Sequence, residues 1–309
     1  MIRALLLMGL LSPGAAWAQA CCTGTGAGEF GVVGRCRQAV LGASLSYTHA
    51  LASFDKAGER QPLEDAIADD VVWTVGGGAR ITPAWQIHGS VPLRLQYRGF
   101  TGLDADTQVG LGDVTLGTRY LAVTDPMTGI SQSLLPFVDL LALVRLPTGR
   151  APEATEVPTG ADVMGAGGYE LTLGVRVSKF ITPNHALVVN GSVGLRPARD
   201  LDLPGGTRRF APGQVGNLHL MYLYVHSLWW SGGLHATGRW TGDAAEDGVT
   251  VPDSGSARTR LGAHVTYALQ VPYWEITGAV WLDPWWDHGA ANQPFVGPTA
   301  SLTLQRSWL

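Results

Sequence analysis

Long and short connections alternate along this chain, and that regularity constrains its fold more than any other feature. Twelve stretches place apolar residues at every second position, over 40–50, 71–81, 85–98, 113–123, a hairpin within 134–179, 186–196, 216–226, 230–240, 257–270, 273–282 and 295–308. Side chains two apart on a strand share a face, so each stretch reads as a β-strand with one apolar and one polar side. The cleanest sets Trp85, Ile87, Val91, Leu93, Leu95 and Tyr97 against Gln86, His88, Ser90, Arg94, Gln96 and Arg98. The connections at 51–70, 99–112, 147–168, 197–215 and 241–256 are long, and that at 283–294 is intermediate. Those at 82–84, 182–184, 227–229 and 271–272 are tight, and 124–133 is the longest of the short set.

Antiparallel strands joined in this way gather all long loops at one end and all short turns at the other. Outer-membrane barrels have this asymmetry, with short periplasmic turns, long extracellular loops and an even strand count. A soluble sandwich has no reason to sort its loops. The reading is therefore an all-β chain forming a transmembrane antiparallel up-and-down β-barrel of about twelve strands. Closure removes the edge strands that an open sheet would expose. Aromatics fall where interfacial girdles belong: Trp85, Trp230 and Trp274 beside short turns, and Tyr97, Trp240 and Tyr169 beside long loops. At the C-terminus Arg306 shares the outward face, which predicts either a frayed end or a snorkelling arginine.

Residues 1–20 read as a secretory signal, with Arg3, an apolar run and the small-residue site Ala18-Gln19-Ala20. Residues 21–38 form a periplasmic leader or partial plug, and 39–309 the barrel. No later apolar run reaches the roughly 18–20 residues of a membrane helix. Cys21, Cys22 and Cys36 cannot all pair within one chain. Either Cys22 or Cys21 bridges to Cys36, or Cys21 is a lipidated N-terminus and Cys22 pairs with Cys36.

The chain carries 21 Lys+Arg against 25 Asp+Glu, a formal charge of −4. Its signs are segregated. The inward faces hold Arg80, Arg94, Arg119, Arg145, Arg176, Arg196, Arg239, Arg258 and Arg260 with His88 and His264, against Asp113, Asp139, Glu170 and Glu275. The loops hold most of the acid. An Arg-lined lumen attracts anionic or polar solutes, whereas ion pairing across a narrow barrel would fill it. His235 and His264 sit on neighbouring strands, but neither belongs to a recognisable Ser–His–acid motif. No cofactor or metal is expected: no His/Cys cluster has ligand spacing, and Asp104 and Asp106 are too few for a calcium site. Nothing suggests nucleic acid. The Trp285-Trp286-Asp287-His288 loop suits either the headgroup boundary or an aromatic or sugar ligand.

Leu146-Pro147-Thr148-Gly149, then Gly168-Tyr169-Glu170-Leu171 with a following Ser178-Lys179, and upstream Gly110-Leu111-Gly112-Asp113-Val114-Thr115, form a recognisable set. Over roughly 85–180 the chain resembles the outer-membrane barrel family associated with meta-pathway phenol degradation. The Cys21-Cys22 start lies outside that pattern. The resemblance implies a transporter for aromatic or other apolar compounds, and the lack of a recognisable catalytic motif points to no enzymatic activity. The expected partners are outer-membrane lipid, the barrel-assembly machinery and an unidentified small solute. The alternatives are a structural or adhesive barrel with a filled lumen and, third, an outer-membrane hydrolase.

Overall fold

The computed structural model describes residues 32–34, 37–63, 66–125, 135–203, 206–227, 229–269, 273–284 and 290–309. Within them twelve antiparallel strands close into a barrel: β1 (Ala39–His49), β2 (Ile67–Arg80), β3 (Trp85–Gly99), β4 (Val114–Val123), β5 (Phe137–Leu146), β6 (Glu170–Thr182), β7 (His185–Leu195), β8 (Val215–Val225), β9 (Trp230–Thr241), β10 (Ser256–Leu269), β11 (Trp274–Leu282) and β12 (Thr299–Trp308). Each strand pairs with its sequence neighbour. The seam joins β12 to β1, from Ala39 opposite Trp308 to Thr48 opposite Thr299.

Burial runs opposite to that of a soluble protein. Outward Val75, Leu116, Val193, Leu234, Val265 and Leu302 are each more than half exposed. Inward Gln86, Arg119, Asp139, Glu170, Arg176, His264 and Glu275 are buried. A continuous apolar outer band of this kind is incompatible with water and is what hydrocarbon requires. The alternation in each strand is therefore lipid outside and polar lumen inside.

The strand series needs two corrections. The stretch 106–111 does not belong to a loop: it pairs with β3 from Leu93 opposite Leu111 to Arg98 opposite Asp106. Between it and β4 the register against β3 slips by one residue, since Ser90 faces Thr115. The slip is a bulge at Gly112–Asp113, placed opposite Pro92, which has no N–H to donate. At the other end, β12 begins at Thr299, later than expected. Residues Gln293–Val296 turn away and pair with Ala52–Phe54, which also pairs with Arg60–Pro62. Ala52, Phe54, Ala290 and Val296 bury one another there as a small apolar cap.

The girdle beside the short turns forms as the strand parity predicts. Trp85 packs edge-on to Tyr120 and Trp230 against Tyr267 near the short turns. Arg306 does not fray. It stays on the outer wall between Trp274 and Trp308, with its guanidinium 6.0 and 5.1 Å from their ring centres, within the range of cation–π attraction.

Candidate functional site

The long-loop end of the lumen carries a concentration of charge. Glu170, the first residue of β6, accepts hydrogen bonds at Oε2 from Arg196 Nε at 2.8 Å and Arg145 Nη1 at 3.3 Å. Arg239 of β9 approaches the same oxygen at 4.0 Å, and the Thr172 hydroxyl donates to Oε1. One turn of the wall further, Arg258 grips Asp283 through two bonds of 2.6 and 2.8 Å. Arg260 reaches Asp283 at 3.6 Å and donates to Thr299 Oγ1 at 2.5 Å. Arg239 and Arg258 lie opposite each other in register, so the two groups are continuous. Among the described residues, Arg145, Arg196, Arg239, Arg258 and Arg260 thus share Glu170 and Asp283, an arc of net positive charge inside the mouth.

Deeper in, Arg119 Nη2 donates to Asp139 Oδ2 at 2.6 Å with both side chains buried. Arg176 is buried directly opposite Asp139 in register. His88 lies over Gly117, where a Cβ would come within 2.5 Å of its Nε2. Across β8, β9 and β10, His219 Nε2 sits 2.9 Å from His235 Nδ1, and His235 Nε2 sits 2.6 Å from His264 Nδ1. The three rings form a ladder flanked by Trp281, whose ring centre is 4.9 Å from that of His235. Room for it comes from inward glycines: a Cβ at Gly233 would lie 2.6 Å from His264, and one at Gly262 would lie 2.5 Å from Trp281. Among the described residues, no serine hydroxyl or carboxylate hydrogen-bonds to these rings.

At the short-turn end, Arg80 donates to three carbonyls, those of Gly34, Arg37 and Pro83. Val33 is almost fully buried. Glu275 is buried and accepts from Gln305 at 2.6 Å. Of the leader, residues 32–34, 37 and 38 are described. Cys21, Cys22 and Cys36 lie outside the described residues, as does the loop carrying Trp285, Trp286, Asp287 and His288.

The connection 147–169 folds back onto the wall. Arg94 and Gln96 of β3 donate to the carbonyls of Met164 and Val163, and Asp113 accepts from the N–H groups of Gly149 and Ala166. Asp106, weighed above as a calcium ligand, accepts instead from Thr159 at 2.8 Å. Asp162 organises the loop from within. Burial pushes its carboxyl up, but the Glu156 N–H, the Thr155 hydroxyl and the Arg150 guanidinium outweigh that and hold it at about 2.

Between this loop, the hairpin Arg199–Leu203/Gly206–Ala211 and the 242–254 connection lies a cavity of about 510 Å³. Leu201, Phe210, Pro212 and Tyr169 give it apolar walls, and Glu170 with Arg196 joins it to the charged arc. Arg199 at its rim is held by Glu153 at 2.9 Å. The sequence assigned Glu170 and Arg196 to the lumen, but gave no sign of Asp283, Leu201 or Phe210, which sit in connections without periodicity. His219, His235 and Trp281 had the right parity, and only cross-strand register brings them together.

No family model matches the chain, and no curated protein does. Among solved structures, an outer membrane channel from Pseudomonas putida F1 is similar over 92% of this chain and 100% of its own, at 13% identity and a TM-score of 0.70. The β domain of the Bordetella autotransporter BrkA is similar over 87% of this chain and 100% of its own, at 12% identity and a TM-score of 0.46. The NanC porin is similar over 87% of this chain and 99% of its own, at 11% identity and a TM-score of 0.45. At 13% identity the first of these likenesses shows a shared fold: a closed barrel of the outer-membrane type.

Proposed function

We propose that this chain is an outer-membrane channel for a small solute, residing in the outer membrane of a Gram-negative bacterium. The observation that carries the reading is the polar lumen with a cavity of about 510 Å³ at its mouth, enclosed by an apolar outer wall. Cavities of this size suit small molecules. The shared fold with a channel supports it, and the resemblance to the phenol-degradation family supports an aromatic or apolar cargo. Under the same reading, residues 1–20 are a removed signal, the barrel-assembly machinery inserts 39–309, and 21–38 enter the short-turn end as a partial plug. The bonds from Arg80 to Gly34 and Arg37 support that last assignment.

A second reading, a barrel with a filled lumen, draws support from the loop held by Arg94 and Gln96. Conductance in planar bilayers separates the two. The channel reading expects discrete openings, larger when residues 21–37 are deleted. Silence from both forms would overturn it in favour of the filled barrel. A hydrolase is disfavoured because the histidine ladder hydrogen-bonds to itself. Ester turnover abolished by His235→Ala would reverse that judgement.

A further inference from the structure

We infer that the mouth cavity is a binding site for aromatic monocarboxylates, deepening the channel reading on which it rests. The cavity combines apolar walls with guanidinium groups at one end. Its walls are supplied by Leu201, Phe210 and Pro212, and its inner end by Arg196 and Glu170. Glu170 is shared among Arg145, Arg196 and Arg239, so one carboxylate meets three guanidinium groups. A second carboxylate, brought by a solute, would find unneutralised positive charge there rather than repulsion. Arg239 is the least committed of the three: it is 4.0 Å from Glu170 and 43% of its side chain is exposed.

Among the described residues lining the cavity, the charges besides Arg196 and Glu170 are those of Arg199 and Glu153. Arg199 and Glu153 neutralise each other at the rim. Beyond Glu170, Arg258 and Arg260 share Asp283, which extends the positive arc toward the lumen. Guanidinium groups bind carboxylates in paired, directional hydrogen bonds. An aromatic ring seated on Phe210 and Leu201 gains apolar burial that a short aliphatic acid lacks. A neutral aromatic alcohol gains the burial without the charge. The cavity therefore discriminates by requiring both features in one molecule.

The test is calorimetry on the detergent-solubilised full chain with benzoate, benzyl alcohol and acetate, alongside bilayer conductance of the same preparations. Benzoate is expected to bind at least tenfold more tightly than either comparator. Arg196→Gln and Phe210→Ala should each weaken it fivefold or more, and Phe210→Ala lies in a hairpin outside the barrel wall, so its fold is secured independently. Benzoate binding no tighter than acetate, or unmoved by Phe210→Ala in protein that keeps its folded electrophoretic mobility, overturns the inference. Benzoate binding as expected in a barrel that never conducts upholds the site and overturns the channel. Conductance without selective benzoate binding does the reverse.

Discussion

Replacing Asp139 by Asn tests whether the middle of the barrel is dry. Asp139 and Arg119 meet at 2.6 Å with side chains 2% and 6% exposed, and Arg119 Nε has no hydrogen-bond partner among the described residues. Asp139→Asn keeps the volume and removes the charge, leaving the guanidinium without its counter-ion. Removing one member of a buried pair costs about 3–5 kcal/mol, chiefly because the survivor remains charged in a poor solvent. An exposed pair gives only about 0–1 kcal/mol. Equilibrium urea unfolding of detergent-refolded protein, followed by tryptophan fluorescence and by mobility in cold SDS gels, separates these ranges. The expected loss is about 3–5 kcal/mol, and Arg119→Gln added to Asp139→Asn should restore part of it by removing the orphaned charge. A loss below about 1 kcal/mol, with no recovery in the double variant, would show that lumen water solvates Arg119. The argument from burial would then fail.

Three further outcomes follow from the geometry. Gly233→Ala places a Cβ 2.5 Å from the Tyr222 carbonyl and 2.6 Å from His264, so it should cost about 1–3 kcal/mol in the same unfolding assay; Gly191→Ala, with nothing within 4 Å, should be near neutral, and equal effects would refute the packing account. The Asp162 carboxyl sits at about 2 against an ordinary 3.8, so the loop stability it contributes is complete above about pH 4 and lost as pH falls toward 2. Hydrogen exchange over 150–166 should rise through that window, and in Asp162→Asn should already be raised at pH 7; an unchanged profile in the variant would assign the acid response to another group. Arg80→Ala removes two bonds to the leader, at the Gly34 and Arg37 carbonyls, and one to Pro83, each worth about 1.5–3 kcal/mol with a charged donor, so exchange at residues 33, 34, 37 and 38 should accelerate at least tenfold if Arg80 anchors the leader, and not at all if it does not.

The barrel was legible in sequence because a membrane wall imposes period two on every strand and leaves no residue of ambiguous side. Where legibility failed, the period was interrupted. Val109 and Leu111 face out at odd positions, whereas beyond the Gly112–Asp113 bulge Leu116 and Tyr120 face out at even ones. A one-residue slip of parity makes a continuous wall look like a strand preceded by a loop. Phe295 misled for the opposite reason. It sits in an apolar run between Pro294 and Gly297-Pro298, yet its ring stacks on Phe100, 6.1 Å away, in the cap over the mouth. Parity tells which face a histidine takes and not which histidine it meets, so His219, His235 and His264 could be placed in the lumen while their ladder required the registers of β8, β9 and β10. The cavity draws on connections that share no pattern with one another, and no reading of single segments assembles it.

Counting lumen arginines overstated how much of the interior is free to act on a solute. Arg119 is committed to Asp139, Arg80 and Arg94 donate to backbone carbonyls, and among the described residues the largest cluster of guanidinium groups is the arc from Arg145 to Arg260. Charge that is paired at hydrogen-bond distance has little field beyond its partner, while an unbalanced cluster beside a low-dielectric wall projects over roughly the 8 Å of physiological screening. Under the channel reading proposed above, the arc places charge selection at the long-loop mouth, beside a cavity with apolar walls. The middle of the barrel, where His219, His235 and His264 form their ladder beside Trp281, presents aromatic and imidazole edges as well. Under that reading, a solute whose anionic group is met at the mouth would next meet these rings, an order of contacts that favours planar molecules carrying a single charge at one end.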